Sequence, residues 1–356
     1  MTGRRTYRCY NRVFQFLSEC IPVMALSRPI FFGPSETDDC WFEESLFAFN
    51  LKLKNEVSGR GFVSKLMQNH NLIDNNWNCE RCGQQCQLDN IRFVWRCQKK
   101  VSIRRQAARR CNSSKSAFKG EWFEQAHVKP ADNLQFCQIY LDKLSFSVPF
   151  VKREIGWSGG TIVDWASFIR EVLESYIAAT TNKIGGVEFH VEIDESKFGR
   201  TKYHRGRFTT GQWVFGGYCR ETEEFFAVPV DRRDSATLLQ VIKDRIAPGT
   251  TIISDCWAAY NCLSQEGYIH LTVNHTYNFV DPITGAHTNT IERLWRSIKE
   301  SFSRNGCRKH HYRGYLARFY FLKTYPTLKQ RMHTFFIATA LLYPPQVDGP
   351  PQPPQV

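Results

Sequence analysis

The sequence has no apolar run of the roughly 18 residues that a membrane span needs, because Pro22 and Pro29 break the best early candidate. Its opening, Met1 to Tyr10, is basic and lacks the apolar stretch of a secretory signal. The 13 cysteines therefore read as reduced thiols of a cytosolic or nuclear protein rather than as a disulfide scaffold. No internal repeat is visible. A balance of 42% hydrophobic and 23% charged residues excludes a wholly disordered, collagen-like or coiled-coil chain. The most informative absence is local. Ile91 to Gly120 holds ten Lys or Arg and no acid, and Ser301 to Gln346 holds eight with none. A solvated surface mixes charge signs, so two such stretches in a chain of net charge +13 point to a phosphate backbone as partner.

With 356 residues the chain has room for two or three domains. Residues 1–75 are mixed, with one or two helices between Phe42 and Met67. Residues 76–128 form a cysteine-rich, basic segment. Residues 129–183 turn helical, with apolar positions at Leu134, Ile139, Leu141 and Leu144 and again at Ile162, Trp165, Ile169, Val172 and Leu173. The glycine turn between these runs is compatible with a helix-turn-helix and equally with a plain helical hairpin. Residues 326–356 are expected to be a C-terminal helix followed by a disordered Pro-rich tail.

Residues 184–325 change texture. Val187, Phe189, Val191 and Ile193 alternate with polar residues, which predicts a strand with one buried face. Gln212–Cys219 and Phe225–Val230 complete a meander. A helix over Ser235–Ile246, a strand over Thr250–Ser254, a helix over Trp257–Leu263, a strand over Tyr268–Val273 and a helix over Asn289–Phe302 follow. This is the order of a ribonuclease-H-like α/β fold, a mixed five-stranded sheet flanked by helices.

Three acids stand at element ends where they can converge. Asp194 ends the first strand, Asp255 ends the fourth, and Glu292 lies in the first turn of the last helix. Each has a plainer reading: Asp194 as a turn residue, Asp255 as a helix N-cap, Glu292 as the partner of Asn289 in a capping box. Together they fit one site for two hard divalent cations, Mg2+ or Mn2+, which take oxygen ligands and clamp the attacking and leaving oxygens of phosphoryl transfer. Glu192 and Glu195 are local competitors.

Four motifs carry a resemblance: Val191-Glu-Ile-Asp-Glu-Ser-Lys-Phe198, Gly211-Gln-Trp-Val-Phe-Gly-Gly217, Gly249-Thr-Thr-Ile-Ile-Ser-Asp-Cys-Trp257, and Gly285-Ala-His-Thr-Asn-Thr-Ile-Glu-Arg-Leu-Trp295. In order and spacing, with 36 residues between Asp255 and Glu292, the stretch from Gly185 to Lys323 resembles the Merlin-type DDE transposases and their bacterial insertion-sequence relatives, with an ISXO-like transposase domain. The resemblance implies that Asp194, Asp255 and Glu292 are metal-binding catalytic acids, supported by His275 and Asn289. It implies cut-and-paste transposition of double-stranded DNA, with cleavage at terminal inverted repeats and transfer of the 3'-hydroxyl into target DNA. A homodimer or larger synaptic complex is expected to hold the two ends, in the nucleus of a eukaryotic host or otherwise in the cytoplasm, without a membrane. The rival readings are a domesticated or decayed descendant that binds DNA without cutting, and a host nuclease or resolvase on the same fold that cuts without joining. Lys197, Arg200, Lys202, Arg205 and Arg207 form a basic stretch that either holds the DNA backbone near the acids or is a plain solvated loop, and Arg104, Arg105, Arg109 and Arg110 are DNA-binding candidates within the cysteine segment.

Cys79-x2-Cys82 with Gly83 is the start of a zinc knuckle. The partner pair is altered: Cys97 is present, but Lys100 stands where a second Cys-x2-Cys would close. Cys111 is the expected fourth Zn2+ ligand, with Cys86 as its competitor. The segment is therefore expected to be ribbon-like and to bind DNA.

Overall fold

The computed structural model describes residues 46–54, 59–103, 106–124, 126–143, 146–199, 211–274, 280–302 and 307–344. Helices α1 (Leu46–Lys54) and α2 (Gly59–Asn69) precede a three-stranded sheet of β1 (Gln87–Asp89), β2 (Val94–Arg96) and β5 (Ser114–Ser116). Between β2 and β5 the chain makes a separate hairpin, β3 (Lys100–Ile103) with β4 (Gln106–Arg110), whose strands pair with each other. Three helices follow: α3 (Pro130–Asp142), α4 (Val148–Ile155) and α5 (Gly159–Thr180). Gly156, at φ 82°, ends α4, and the Ser158 side chain caps α5. The expected helix, glycine turn, helix is present.

The second half is built on a mixed sheet in the order β10-β9-β6-β7-β8. The central strand β6 (His190–Phe198) pairs antiparallel with β7 (Gln212–Cys219), which pairs with β8 (Phe225–Val230). On its other side β6 pairs parallel with β9 (Thr251–Asp255), and β9 pairs parallel with β10 (Ile269–Val273). Alternation along β6 divides the two faces. Val191 and Ile193 pack under α6 (Ser235–Arg245), against Leu238, Ile242 and Ile246. Phe198 packs on the opposite face, with Ile291, Leu294, Trp295 and Ile298 of α7 (Asn289–Ser301) and Leu316 and Phe319 of α8 (Tyr312–Thr324).

The helix expected over Trp257–Leu263 is instead a pair of 3-10 turns, Ala258–Tyr260 and Leu263–Glu266. Only 13 residues join β9 to β10, near the minimum for a parallel crossover. A 3-10 turn, rising about 2.0 Å per residue rather than 1.5, spans that gap with fewer residues.

A single apolar core joins the described parts of the stretches 1–75, 76–128, 129–183 and 326–356. It includes Phe49 and Met67, Trp95, Leu134 and Trp165, and Phe335 and Phe336 of α9 (Leu328–Leu342). Two members of the second basic stretch face inward. Arg318 donates to the carbonyls of Tyr140 (2.6 Å) and Lys143 (2.5 Å), and Arg331 to those of Leu141 (3.1 Å) and Asp142 (2.5 Å). They serve the unpaired carbonyls at the end of α3, so not all eight cations of that stretch face a polyanion. Among the described residues no helix is long and apolar enough to cross a membrane.

Candidate functional site

The register of the sheet brings two of the expected acids level. Glu192 of β6 lies opposite Ile253 of β9 in a parallel ladder, and two residues further on each strand come Asp194 and Asp255. Asp194 has the phase that faces α7, and the Trp295 indole Nε1 donates to its Oδ2 at 3.0 Å. Burial raises the Asp194 carboxyl. The Glu195 N–H and the Trp295 indole offset part of that, while the charges of Asp255 and Glu292 raise it further, to about 6. Glu292 is exposed on the first turn of α7, and Thr288 Oγ1 donates to its Oε1 at 3.4 Å. Asp194 thus feels the charges of both other acids, although the three do not close into a single shell. Among the described residues, only a cysteine group brings three or more potential ligand atoms within 4.8 Å of one another. An open set of carboxylates fits Mg2+ or Mn2+, which keep positions for water and phosphate oxygens.

The capping box that was the plainer alternative for Asn289 and Glu292 does not form. Thr288 is the N-cap, Asn289 is already helical, and no side chain of the helix caps its first turn. Instead the buried Glu192 reaches across from β6. Its Oε2 accepts the N–H groups of Thr290 (2.9 Å) and Ile291 (3.0 Å), and its Oε1 accepts Arg220 Nε at 2.7 Å. Arg220 also donates to the His287 carbonyl at 2.7 Å, and the His287 ring lies 3.3 Å from Glu192. Two oxygens can serve more of the helix end than one Asn side chain, and Glu292 is left facing outward. The sequence signal for this was the phase that Glu192 shares with Asp194.

Glu195, the other competitor, points to the opposite face. It accepts the Tyr260 hydroxyl and Arg233 Nε. Burial lifts its carboxyl; Arg233 lowers it, and Asp194 and Asp255 raise it, to a value of about 7. Tyr260 follows the Gly249–Trp257 motif in the chain, whereas Arg233 lies in none of the four motifs. Lys197 is exposed, with its ammonium 5.5 Å from the Trp213 ring centre. Arg110 is exposed at the foot of β4, opposite Lys100 of β3, and Arg109 lies opposite Val101. His275, Arg104, Arg105, Arg200, Lys202, Arg205 and Arg207 lie outside the described residues.

The cysteines converge as the preferred set. The ligand atoms of Cys79, Cys82, Cys97 and Cys111 all lie within 4.8 Å of one another, with Cys79 and Cys111 sulfurs 3.6 Å apart and Cys82 and Cys97 sulfurs 3.4 Å apart. These separations approach the ~3.8 Å edge of a tetrahedron with Zn–S bonds of about 2.3 Å. Gly83, at φ 67°, turns the first pair, and its N–H bonds to the Cys79 carbonyl at 2.7 Å. The second pair stands at the two feet of the β3–β4 hairpin: the Cys97 N–H bonds to Ser113 and the Cys111 N–H to Lys99, both at 2.9 Å. Burial opposes ionisation of Cys79, yet the Arg81 N–H, the Ser113 side chain and the Cys82 N–H hold its thiol down at about 6. Cys86 is outside the group; its thiol donates to the Gln84 carbonyl at 3.5 Å.

Residues 172–323 match the ISXO2-like transposase domain family. A relative from Haemophilus influenzae, described as an uncharacterized transposase-like protein, is 28% identical over 92 residues, which are 26% of this chain and 73% of the relative. Both findings support an insertion-sequence-type transposase and bear out the resemblance drawn from the four motifs. That relative is bacterial, and nothing in the comparisons supports residence in a nucleus.

Proposed function

We propose that the protein is a DDE transposase that cuts double-stranded DNA at the terminal inverted repeats of its element and transfers the freed 3'-hydroxyl into target DNA. The observation that carries this reading is the level placement of Asp194 and Asp255 on adjacent parallel strands, in electrostatic contact with Glu292, inside the segment that matches the transposase family. The strand order supports a ribonuclease-H-like catalytic domain.

Asp194, Asp255 and Glu292 are the residues that would hold two Mg2+ or Mn2+ ions. When bound, such ions activate the nucleophile and offset charge on the leaving oxygen. The chain's own contribution is placement. Trp295 fixes one oxygen of Asp194, the Trp257 N–H fixes one oxygen of Asp255 at 3.2 Å, and Glu192 fixes the helix end that carries Glu292. Asn289, exposed beside Glu292, and His275 are proposed as supporting residues.

End recognition is assigned to the cysteine segment with Zn2+ at Cys79, Cys82, Cys97 and Cys111, and to the basic β3–β4 hairpin. Two-stranded ribbons fit the major groove. The alternative, reading by α5 as the second helix of a helix-turn-helix, has less support, since Arg170 is the one cation in α5 and is buried, while Val163, Asp164 and Phe168 are exposed. Lys197, with Arg200, Lys202, Arg205 and Arg207, would hold backbone near the acids. A homodimer or larger synapse follows from a reaction with two ends.

The test is to incubate the full chain and its Asp255→Asn and Glu292→Gln variants with Mg2+ or Mn2+ and labelled duplex carrying the inverted repeats that flank the gene. Metal-dependent nicking and joining that both variants lose is the expected result. Binding without cleavage by the unaltered chain would favour the domesticated DNA-binding protein.

A further inference from the structure

We propose that Arg233 is a preformed anchor for a DNA phosphodiester on the strand that passes Asp255. This rests on the transposase reading and adds to it a binding group that neither the motifs nor the comparisons mark.

Arg233 lies between the end of β8 and the start of α6, and the next residue is fixed, because the Asp234 carboxylate caps α6 by accepting the Thr237 N–H at 2.8 Å. Its guanidinium carbon sits 4.2 Å from the ring centre of Trp257 and 4.9 Å from that of Trp213. Its Nε donates to Glu195 at 3.0 Å, yet the side chain stays 36% exposed. A guanidinium has five N–H donors in a plane. One goes to Glu195, and the terminal nitrogens have no protein partner among the described residues. Two aromatic faces and a carboxylate therefore hold this long side chain in one pose with its bidentate edge to solvent.

That arrangement suits a phosphate for three reasons. A planar guanidinium matches two phosphate oxygens, which an ammonium cannot do. Immobilising the side chain in advance removes most of the ordering cost that binding would otherwise carry. The neighbouring acids also repel a polyanion, so a strand drawn to Asp255 needs a fixed cation close by. Trp257 links the two functions, because its ring packs on Arg233 while its N–H donates to Asp255. Lys197, with its ammonium also near the Trp213 ring, continues the line of cations along the same sheet end. The contact reads backbone rather than bases, so it positions the strand without selecting sequence.

The test uses the full chain, without divalent metal, and duplexes carrying the flanking inverted repeat in which one phosphate at a time is replaced by a neutral methylphosphonate. The unaltered protein is expected to lose roughly tenfold or more in affinity when the anchored phosphate is neutralised. Arg233→Gln should bind the native duplex with that same loss, be indifferent to neutralisation at that one position, and remain sensitive at the others. Retained sensitivity elsewhere reports an intact fold, and Arg233→Lys should fall between. An unchanged interference pattern in Arg233→Gln overturns the anchor. Failure of the unaltered protein to bind the duplex at all overturns the DNA reading itself, and the anchor with it. Binding with the expected pattern but no cleavage under metal leaves the anchor standing while the cutting activity falls.

Discussion

The carboxylate of Glu192, fully buried on β6, accepts the backbone N–H of Ile291, 99 residues further along the chain, at 3.0 Å. A strand of the sheet thereby supplies the cap of the helix that presents Glu292. The same carboxylate faces Arg220, so one side chain ties together the sheet, the β7–β8 turn and the start of α7.

Removing that group should cost stability before it costs anything else. Glu192→Leu leaves Arg220 and two helix N–H groups without their acceptor, and losses of about 3–5 kcal/mol are typical when one partner of a buried pair is removed. Glu192→Gln retains one acceptor oxygen and should cost less. Urea denaturation of both variants measures the order, and it should run Leu worse than Gln. Cleavage should fall further than DNA binding in the Gln variant, because the helix end that shifts carries Glu292. Equal stability of the Leu variant and the unaltered chain would contradict the cap.

The opposite side of α7 depends on a close approach. The Trp295 ring lies against β7 at Gly216, where a Cβ would meet Trp295 Cη2 at 2.6 Å and the Phe226 carbonyl at 2.9 Å. Neither atom belongs to a flexible chain end. Gly216→Ala should therefore push α7 off the sheet and destabilise by about 1–3 kcal/mol, and it should disturb the Trp295 bond to Asp194. Tryptophan fluorescence and thermal melting report both effects. An unshifted spectrum with an unchanged melting temperature would count against this packing.

How far the sequence foretold this architecture differs by element. The alternation around Val191 and Ile193 and the helical period of Ile291, Leu294, Trp295 and Ile298 were legible, because burial of one face writes itself into residue type. The level placement of Asp194 and Asp255 followed from a central β6 and a parallel β9, but Asp194 does not end its strand as expected: β6 runs on to Phe198, because its C-terminal half stays paired with β7. The cap by Glu192 was not legible, because a contact across 99 residues leaves no local spacing, and the local Asn-x-x-Glu pattern pointed elsewhere. The inward turn of Arg318 and Arg331 was hidden for the same reason: their partners are backbone carbonyls of a distant helix, which no side-chain pattern announces. Cys111 rather than Cys86 completes the four thiols, and the β3–β4 hairpin that brings Cys111 back to Cys97 takes up the 13 residues between them in place of the usual knuckle.

The cysteine group makes a compositional prediction. Purified under reducing conditions, the full chain should carry one zinc per molecule by elemental analysis. Cys111→Ser should lose it, whereas Cys86→Ser should retain it, since the Cys86 thiol bonds to the Gln84 carbonyl instead of joining the four. A two-stranded hairpin is marginal alone, and Cys97 and Cys111 join its feet. Chelation should therefore expose the β3–β4 hairpin to protease and weaken DNA binding while leaving the α7 side of the molecule folded. Zinc retained in Cys111→Ser would exclude this ligand set.

The acids make the protein's stability depend on pH in a direction opposite to that of an ordinary salt-bridged carboxylate. Asp194 has an ordinary value of 3.8 and is raised to about 6 in the fold, first by burial and then by Asp255 and Glu292. The folded state therefore holds this proton more tightly than the unfolded chain. Its favourable contribution is complete below about pH 4 and is lost as pH rises to about 6, a change on the order of 3 kcal/mol at most. Glu195, raised to about 7, extends the decline. A divalent cation at the acids binds the ionised form, so it should restore what deprotonation removes, and more so at pH 8 than at pH 5. Thermal melts in EDTA and in Mg2+ across that range measure both arms. In EDTA the melting temperature of the unaltered chain should fall between about pH 4 and pH 7. Asp194→Asn, which cannot ionise there, should fall less and gain less from Mg2+. Identical pH slopes for the two proteins would mean that the acids are not coupled as their burial and spacing require.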